Sequence, residues 1–241
     1  MFELNNNIKL YAFDLDGTLY VGEKAIPGAV ELIRDLQKRY KVIYFTNNST
    51  KTSWQIHEKL NRLGFNCKVD DVFSSSTLTS LYLKENNLNN LFIIGSDDFK
   101  NEIETQGLTV IQSDSADHIV VGMDPYFSYE KISIALAILL KNGKFIVCNE
   151  DCNFPVENNK YLPGCGAMVG AIIGASNKRP DYIIGKPNCY FLKKISEQFH
   201  VTKDEVVVVG DSYDSDIQMA LNFGCKSILI ENCDISKTIY Y

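Results

Sequence analysis

Short apolar runs alternate with helix-spaced apolar stripes along nearly all of this 241-residue chain, and few architectures accept such a pattern. Runs at 8–13, 41–45, 69–73, 91–94, 118–121, 145–148, 182–184, 206–209 and 227–230 read as strands, with helical segments between them. Alternation of this kind points to an α/β protein with a mainly parallel sheet, because each parallel pair needs a crossover that a helix supplies. Val206-Val-Val-Val is apolar at every position, as expected of a central strand covered on both faces. Ala29, Ile33, Leu36 and Tyr40 form one helix stripe, and Ile56, Leu60 and Leu63 form the next, ending at the cap residue Gly64. Trp54, on that second helix, is expected to pack, and His118 beside its strand to be structural. From about residue 80 to 180 the pattern restarts, so this stretch reads as an α/β unit of its own.

Composition removes several classes of function. With 45% hydrophobic and 22% charged residues the chain has ample material for a core, and disorder is excluded. A net charge of -6 argues against a nucleic-acid polymer as partner, since such binders carry a basic surface that displaces counterions. No apolar run approaches the ~18–20 residues of a membrane span, and the opening Met1-Phe-Glu-Leu-Asn-Asn-Asn lacks a basic region followed by an apolar one. Seven scattered cysteines lack the paired spacing of a zinc site and are expected to be reduced and mostly buried. A cytoplasmic protein is expected.

The chemistry sits at the ends of the strands. The first ends in Asp14-Leu-Asp-Gly-Thr-Leu, where two carboxylates one residue apart share a face unless the chain turns between them. Such a pair must be held apart, protonated, or bridged by a cation, for which a hard divalent ion with oxygen ligands is suited. Taken alone, the same residues suit a solvated strand-to-turn corner. Three further strand ends carry polar groups: Thr46 and Asn47, Lys186 just after Tyr182–Ile184, and Asp211 with Asp216. In a parallel sheet the carboxyl ends of the strands share the edge where ligands bind. Carboxylates, a hydroxyl, amides and one lysine gathered there are the parts that phosphoryl transfer needs. Each segment alone is an ordinary turn; the bland reading requires four coincidences.

With these motifs the sequence resembles the haloacid dehalogenase-like (HAD) superfamily, in its subfamily IIA, the NagD-like and p-nitrophenylphosphatase-type branch. Asp14-Leu-Asp-Gly-Thr-Leu is similar to the first motif, Thr46-Asn-Asn-Ser to the second, the lysine of Gly185-Lys-Pro to the third, and Gly210-Asp-Ser-Tyr-Asp-Ser-Asp-Ile to the fourth. Tyr20-Val-Gly with Ile26-Pro-Gly-Ala, Val121-Gly-Met-Asp, and Pro163-Gly-Cys-Gly-Ala-Met agree as secondary signatures, and the resemblance spans about residues 8–231. It implies a Rossmann-like parallel-sheet core over 1–80 and 181–241, with an inserted α/β cap domain of the C2 type over 81–180.

For the residues, the resemblance implies that Asp14 is the nucleophile that becomes an aspartyl phosphate and that Asp16 is the acid and then the base. Mg2+ would be held by the Asp14 carboxylate, the Asp16 backbone carbonyl and Asp211. Thr46, Asn47 and Asn48 would bind the phosphoryl group, Lys186 would neutralise its charge, and Asp216 would orient Lys186 or a metal-bound water. Asp214 reads as a solvated turn residue. The aspartate at 16 favours phosphate chemistry over dehalogenation.

In the cap, Asn149 and Asp151 are the candidate substrate-binding residues, although Cys148 replaces the threonine usual before them, which puts hydrogen bonding there in doubt. Relatives continue after Ile230 with a further strand and helix, for which this chain shows no pattern. The implied activity is Mg2+-dependent hydrolysis of small phosphomonoesters such as sugar phosphates or nucleoside monophosphates. A catalytically silent phosphometabolite-binding protein and a phosphotransferase or mutase stay open as alternatives. The expected partner is a small phosphorylated metabolite, with no membrane, and the resemblance allows a homodimer.

Overall fold

The computed structural model describes residues 7–156 and 160–241; the opening segment, on which the absence of a leader was read, lies almost wholly outside them. In chain order the elements are β1 (Leu10–Phe13), β2 (Tyr20–Val21), β3 (Lys24–Ala25), α1 (Ala29–Leu36), β4 (Lys41–Thr46), α2 (Ser53–Arg62), β5 (Val72–Ser74) and α3 (Ser75–Glu85). There follow β6 (Leu91–Ile94), α4 (Asp97–Thr105), β7 (His118–Val121), α5 (Tyr129–Leu140), β8 (Phe145–Val147), β9 (Asn153–Val156), β10 (Lys160–Pro163) and α6 (Cys165–Ser176). Last come β11 (Tyr182–Ile183), α7 (Tyr190–Phe199), β12 (Val206–Gly210), α8 (Gln218–Phe223), β13 (Lys226–Ile230) and β14 (Thr238–Tyr240).

The chain forms two compact units, one of residues 1–46, 53–73 and 186–241 and the other of 47–52 and 74–185. It therefore changes unit near 73 and 185, where the sequence suggested 80 and 180, and the short segment 47–52 goes with the second unit. Hydrogen bonds from Ser75 to the Asn47 and Asn48 carbonyls, and from Ser76 to that of Lys51, tie this segment to the start of α3.

The first unit is built on a six-stranded sheet in the order β14-β13-β12-β1-β4-β5. β1 pairs in parallel with β12 and β4, and β12 with β13, while β14 runs antiparallel to β13. Every residue of β1 and β12 is buried, which follows from their apolar sequences and central places. Tyr11, Phe13, Val207 and Val209 meet Ile33 and Leu60 from the helices in one core cluster. The second unit has a four-stranded parallel sheet in the order β11-β8-β7-β6, with a separate antiparallel β9–β10 hairpin. Its core joins Phe92, Ile119 and Phe145 to Ile138 of α5 and Met168 of α6. Serines start three of its helices: Ser74, Ser96 and Ser128 accept backbone N–H groups of Thr77, Phe99 and Lys131.

Several expectations are corrected. The stripe ending at Tyr40 is helical only to Leu36, and Val69–Asp71 is a 3-10 turn before β5 rather than strand. Trp54 is 61% exposed, not packed. A further strand does follow β13: β14 pairs Ile239 with Leu229. Among the described residues no helix is long and apolar enough to cross a membrane.

All seven cysteines are free thiols, but only Cys67, Cys148 and Cys165 are buried, while Cys152 and Cys233 are exposed. Burial pushes the Cys67 and Cys148 thiols up to about 12, which keeps them protonated and unreactive at neutral pH. A maleimide applied to the folded protein should modify Cys152 and Cys233 first and spare the three buried thiols until denaturant is added. Peptide mapping checks this, and early labelling of Cys148 would contradict the packing described.

Candidate active site

The first unit gathers its acidic residues at the carboxyl ends of neighbouring parallel strands. Asp14 directly follows β1 and Asp211 follows β12, and the pairing of Phe13 with Val209 brings the two strand ends side by side. Backbone hydrogen bonding continues past the strand, with the Asp14 N–H donating to the Val209 carbonyl at 2.8 Å. Asp216 lies in the π-helical turn Tyr213–Ile217 that leads from β12 into α8. One carboxylate oxygen from each of Asp14, Asp211 and Asp216 lies within 4.8 Å of the others.

Lys186 resolves much of that repulsion. Its Nζ donates to Asp14 Oδ1 and to Asp216 Oδ1, each at 2.7 Å. Asp14, Lys186 and Asp216 are 5%, 6% and 0% exposed, so these ion pairs are formed away from water. The ammonium also lies 5.1 Å from the Phe45 ring centroid. Burial opposes charge on Lys186, but Asp14 and Asp216 outweigh it and hold the ammonium well above its ordinary range. Burial raises the Asp216 carboxyl, with Lys186 opposing. Asp216 Oδ2 accepts the Ser212 N–H at 3.1 Å, so both of its oxygens have protein donors. Asp216 thus touches Lys186, one of the two partners expected of it.

Asp211 keeps contact with solvent and accepts from Thr18 Oγ1 at 3.1 Å. Burial of its carboxyl, with the Asp14 charge adding, pushes it up to about 6. Two glycines make this crowding possible. Gly17 takes φ +88°, and a Cβ there would stand 2.2 Å from Asp211 Oδ2, while one on Gly210 would meet the Asp216 carboxylate at 2.3 Å. The donor set suits a hard divalent cation: Asp14 and Asp211 offer carboxylate oxygens on adjacent strand ends, whereas Asp216 is committed to Lys186 and Ser212.

Asp16 stands in the turn after β1, open to solvent, although the surrounding protein still crowds its carboxyl. That burial raises its pKa, Lys59 opposes, and Asp14 adds to the rise. Its Oδ2 accepts from the Tyr20 hydroxyl at 3.1 Å. Sequence reasoning saw Tyr20 only as part of a signature. Its signal was a tyrosine four residues after the second aspartate, facing back across a hairpin. Thr46 is buried at the end of β4, and Asp214 is exposed.

The remaining candidates belong to the second unit. Asn47 Nδ2 donates to Asp151 Oδ1 at 3.0 Å, Asn149 Nδ2 donates to the Asn47 carbonyl at 2.7 Å, and the Asp151 N–H donates to Asn149 Oδ1 at 3.1 Å. Residues separated by about a hundred positions thus form one amide and carboxylate cluster. Asn48 Oδ1 accepts the N–H groups of Thr50 and Lys51, both at 2.9 Å, and so shapes its own turn. The Thr79 hydroxyl, which donates to the Ser75 carbonyl at 2.6 Å, lies 3.3 Å from the Cys148 sulfur.

Comparison with known proteins agrees with this geometry. A family model described as haloacid dehalogenase-like hydrolase matches residues 11–109, and a second, HAD-hydrolase-like, matches 183–234. An acid sugar phosphatase of Staphylococcus epidermidis is 36% identical over 223 residues, covering 92% of this chain and 85% of that protein. A solved structure whose description is a nagD protein superposes with a TM-score of 0.88 at 31% identity, covering 94% of this chain and 89% of that one. The 4-nitrophenylphosphatase of Thermotoga maritima gives a TM-score of 0.87, also at 31% identity, over 92% of this chain and 85% of its own. The chain therefore belongs to the haloacid dehalogenase-like hydrolases, as a NagD-like phosphatase of subfamily IIA.

Proposed function

We propose that this phosphatase hydrolyses small phosphomonoesters with the aid of Mg2+, by way of a phosphate carried on Asp14. The observation that supports this most is the buried Lys186 ammonium at 2.7 Å from both Asp14 and Asp216, beside the Asp211 carboxylate. It pairs with Asp14 and sets positive charge where a phosphate dianion would otherwise be repelled.

An oxygen of Asp14 attacks phosphorus in line and forms a bond to it, and the ester P–O bond breaks with its electron pair passing to the leaving oxygen. Asp16 gives that oxygen a proton, then removes one from the water that cleaves the acyl phosphate and restores the Asp14 carboxylate. Thr46, Asn47 and Asn48 donate hydrogen bonds to the phosphoryl oxygens, and Lys186 balances the charge that grows on them. Asp14, the Asp16 backbone carbonyl and Asp211 would hold the Mg2+. When bound, the ion offsets negative charge on the phosphate and polarises it.

The second unit is assigned the part of a cap that selects the leaving group through Asn149 and Asp151. Relatives named acid sugar phosphatase support a sugar phosphate as substrate, and Asp151 suits a leaving group rich in hydroxyl donors. Seven free thiols support a cytoplasmic setting.

The test is release of inorganic phosphate from a panel of sugar phosphates, nucleoside monophosphates and p-nitrophenyl phosphate. Chelation with EDTA should lower the rate by about a hundredfold or more, and added Mg2+ should restore it. Tight binding of the same phosphates with no release of phosphate would defeat the proposal.

A further inference from the structure

A proton donor has to be held as well as placed, because a carboxyl in an exposed turn otherwise samples several rotamers. Asp16 has such a holder in the first unit. The Tyr20 hydroxyl donates to Asp16 Oδ2 at 3.1 Å, while the Tyr20 ring is only 3% exposed. The backbones are joined too: the Gly17 N–H donates to the Tyr20 carbonyl at 2.8 Å, and Asp16 and Tyr20 form an isolated β-bridge.

Tyr20 is fixed in turn from α2. Lys59 Nζ lies 3.8 Å from the centroid of the Tyr20 ring, a close cation–π contact. Glu23, between β2 and β3, accepts from Arg62 at 2.7 Å and stands 3.8 Å from Lys59. The hairpin that carries Tyr20 is therefore tied to one helix by two cations.

We infer that Tyr20 is a positioning residue for Asp16: its hydroxyl occupies Oδ2 and turns Oδ1 toward the leaving group, and Lys59 keeps the tyrosine in place. The inference rests on Asp16 being the acid of the reaction proposed above. As the bond from Asp14 to phosphorus forms, the ester P–O bond breaks with its electron pair on the leaving oxygen. The Asp16 Oδ1–H bond gives up its proton to that oxygen, and Asp16 is left a carboxylate. Tyr20 keeps its own proton throughout and remains bonded to Oδ2.

Tyr20→Phe removes the hydroxyl and keeps the ring under Lys59. The measurement is kcat/KM on two substrates, since this parameter reports the steps up to departure of the leaving group. An alkyl or sugar phosphate needs its leaving oxygen protonated, whereas p-nitrophenolate departs as a stable anion. For the sugar phosphate kcat/KM should fall by roughly 10- to 100-fold, and for p-nitrophenyl phosphate by about 3-fold or less. Lys59→Met should shift the two substrates in the same order, to a smaller extent. Asp16→Asn serves as the reference and should show the same preference more strongly.

If Asp16→Asn discriminates between the substrates while Tyr20→Phe lowers both equally or neither, the positioning role is overturned. If Asp16→Asn itself does not discriminate, the acid assignment fails, and the role of Tyr20 falls with it.

Discussion

Asp14→Asn is expected to lower phosphate release by about 10^4-fold or more while leaving the protein folded. An amide has the shape of the carboxylate but not its nucleophilic oxygen, so no bond to phosphorus can form. The fold should survive because the Lys186 ammonium keeps Asp216 as its partner at 2.7 Å, and Asp216 keeps the Ser212 N–H. Removing one negative charge also relieves the crowding of Asp14 with Asp211 and Asp216. Steady-state release of inorganic phosphate, together with a thermal unfolding scan, separates the two effects. Turnover remaining above about one per cent would remove Asp14 from the role of nucleophile.

Lys186→Met should damage both activity and stability, and for connected reasons. The methionine roughly fills the volume of the lysine stem but leaves the Asp14 and Asp216 carboxylates facing one another away from water. Breaking a buried ion pair in this way costs about 3–5 kcal/mol, which lowers the unfolding midpoint by roughly 10 °C or more. Loss of the positive charge should lower kcat by about a further 10^3-fold, as removal of a preorganised donor does. A second substitution tells these apart. In Lys186→Met/Asp216→Asn one of the two unpaired carboxylates is gone and Asp14 alone remains, so part of the stability should return and the activity should not. A double variant as active as the parent would show that Lys186 serves packing alone.

Most strands of the two larger sheets were legible because their apolar runs end in polar groups. Val206–Gly210 and the ends at Asp14 and Lys186 show this plainly. The elements that escaped are short or exposed. β2 and β3 have two residues each, too few to show alternation, and Lys160–Pro163 is exposed at every position, so its hairpin has no buried face to reveal it. β14 is three residues long and mostly exposed, and its place is set by pairing with β13 rather than by its own pattern.

Site residues divided along the same lines. Adjacency in a parallel sheet foretells Asp14 beside Asp211. Nothing local foretells the contact of Asn47 with Asp151, which is 104 residues away. Trp54 misled because helix spacing gives a face but not what covers it, and here it is left 61% exposed.

The allegiance of residues 47–52 bears on how such enzymes can be recombined. Ser75, Ser76 and Ser96 donate to carbonyls within this segment, the Ser49 hydroxyl accepts the Met123 N–H, and Asn149 donates to the Asn47 carbonyl. A chimera that transplants only residues 74–185 from a relative would leave a recipient hexapeptide facing a donor's serines and asparagine. The natural cassette for exchanging the second unit is discontinuous, with one small piece cut out of the middle of the second motif, and its seam falls between Thr46 and Asn47.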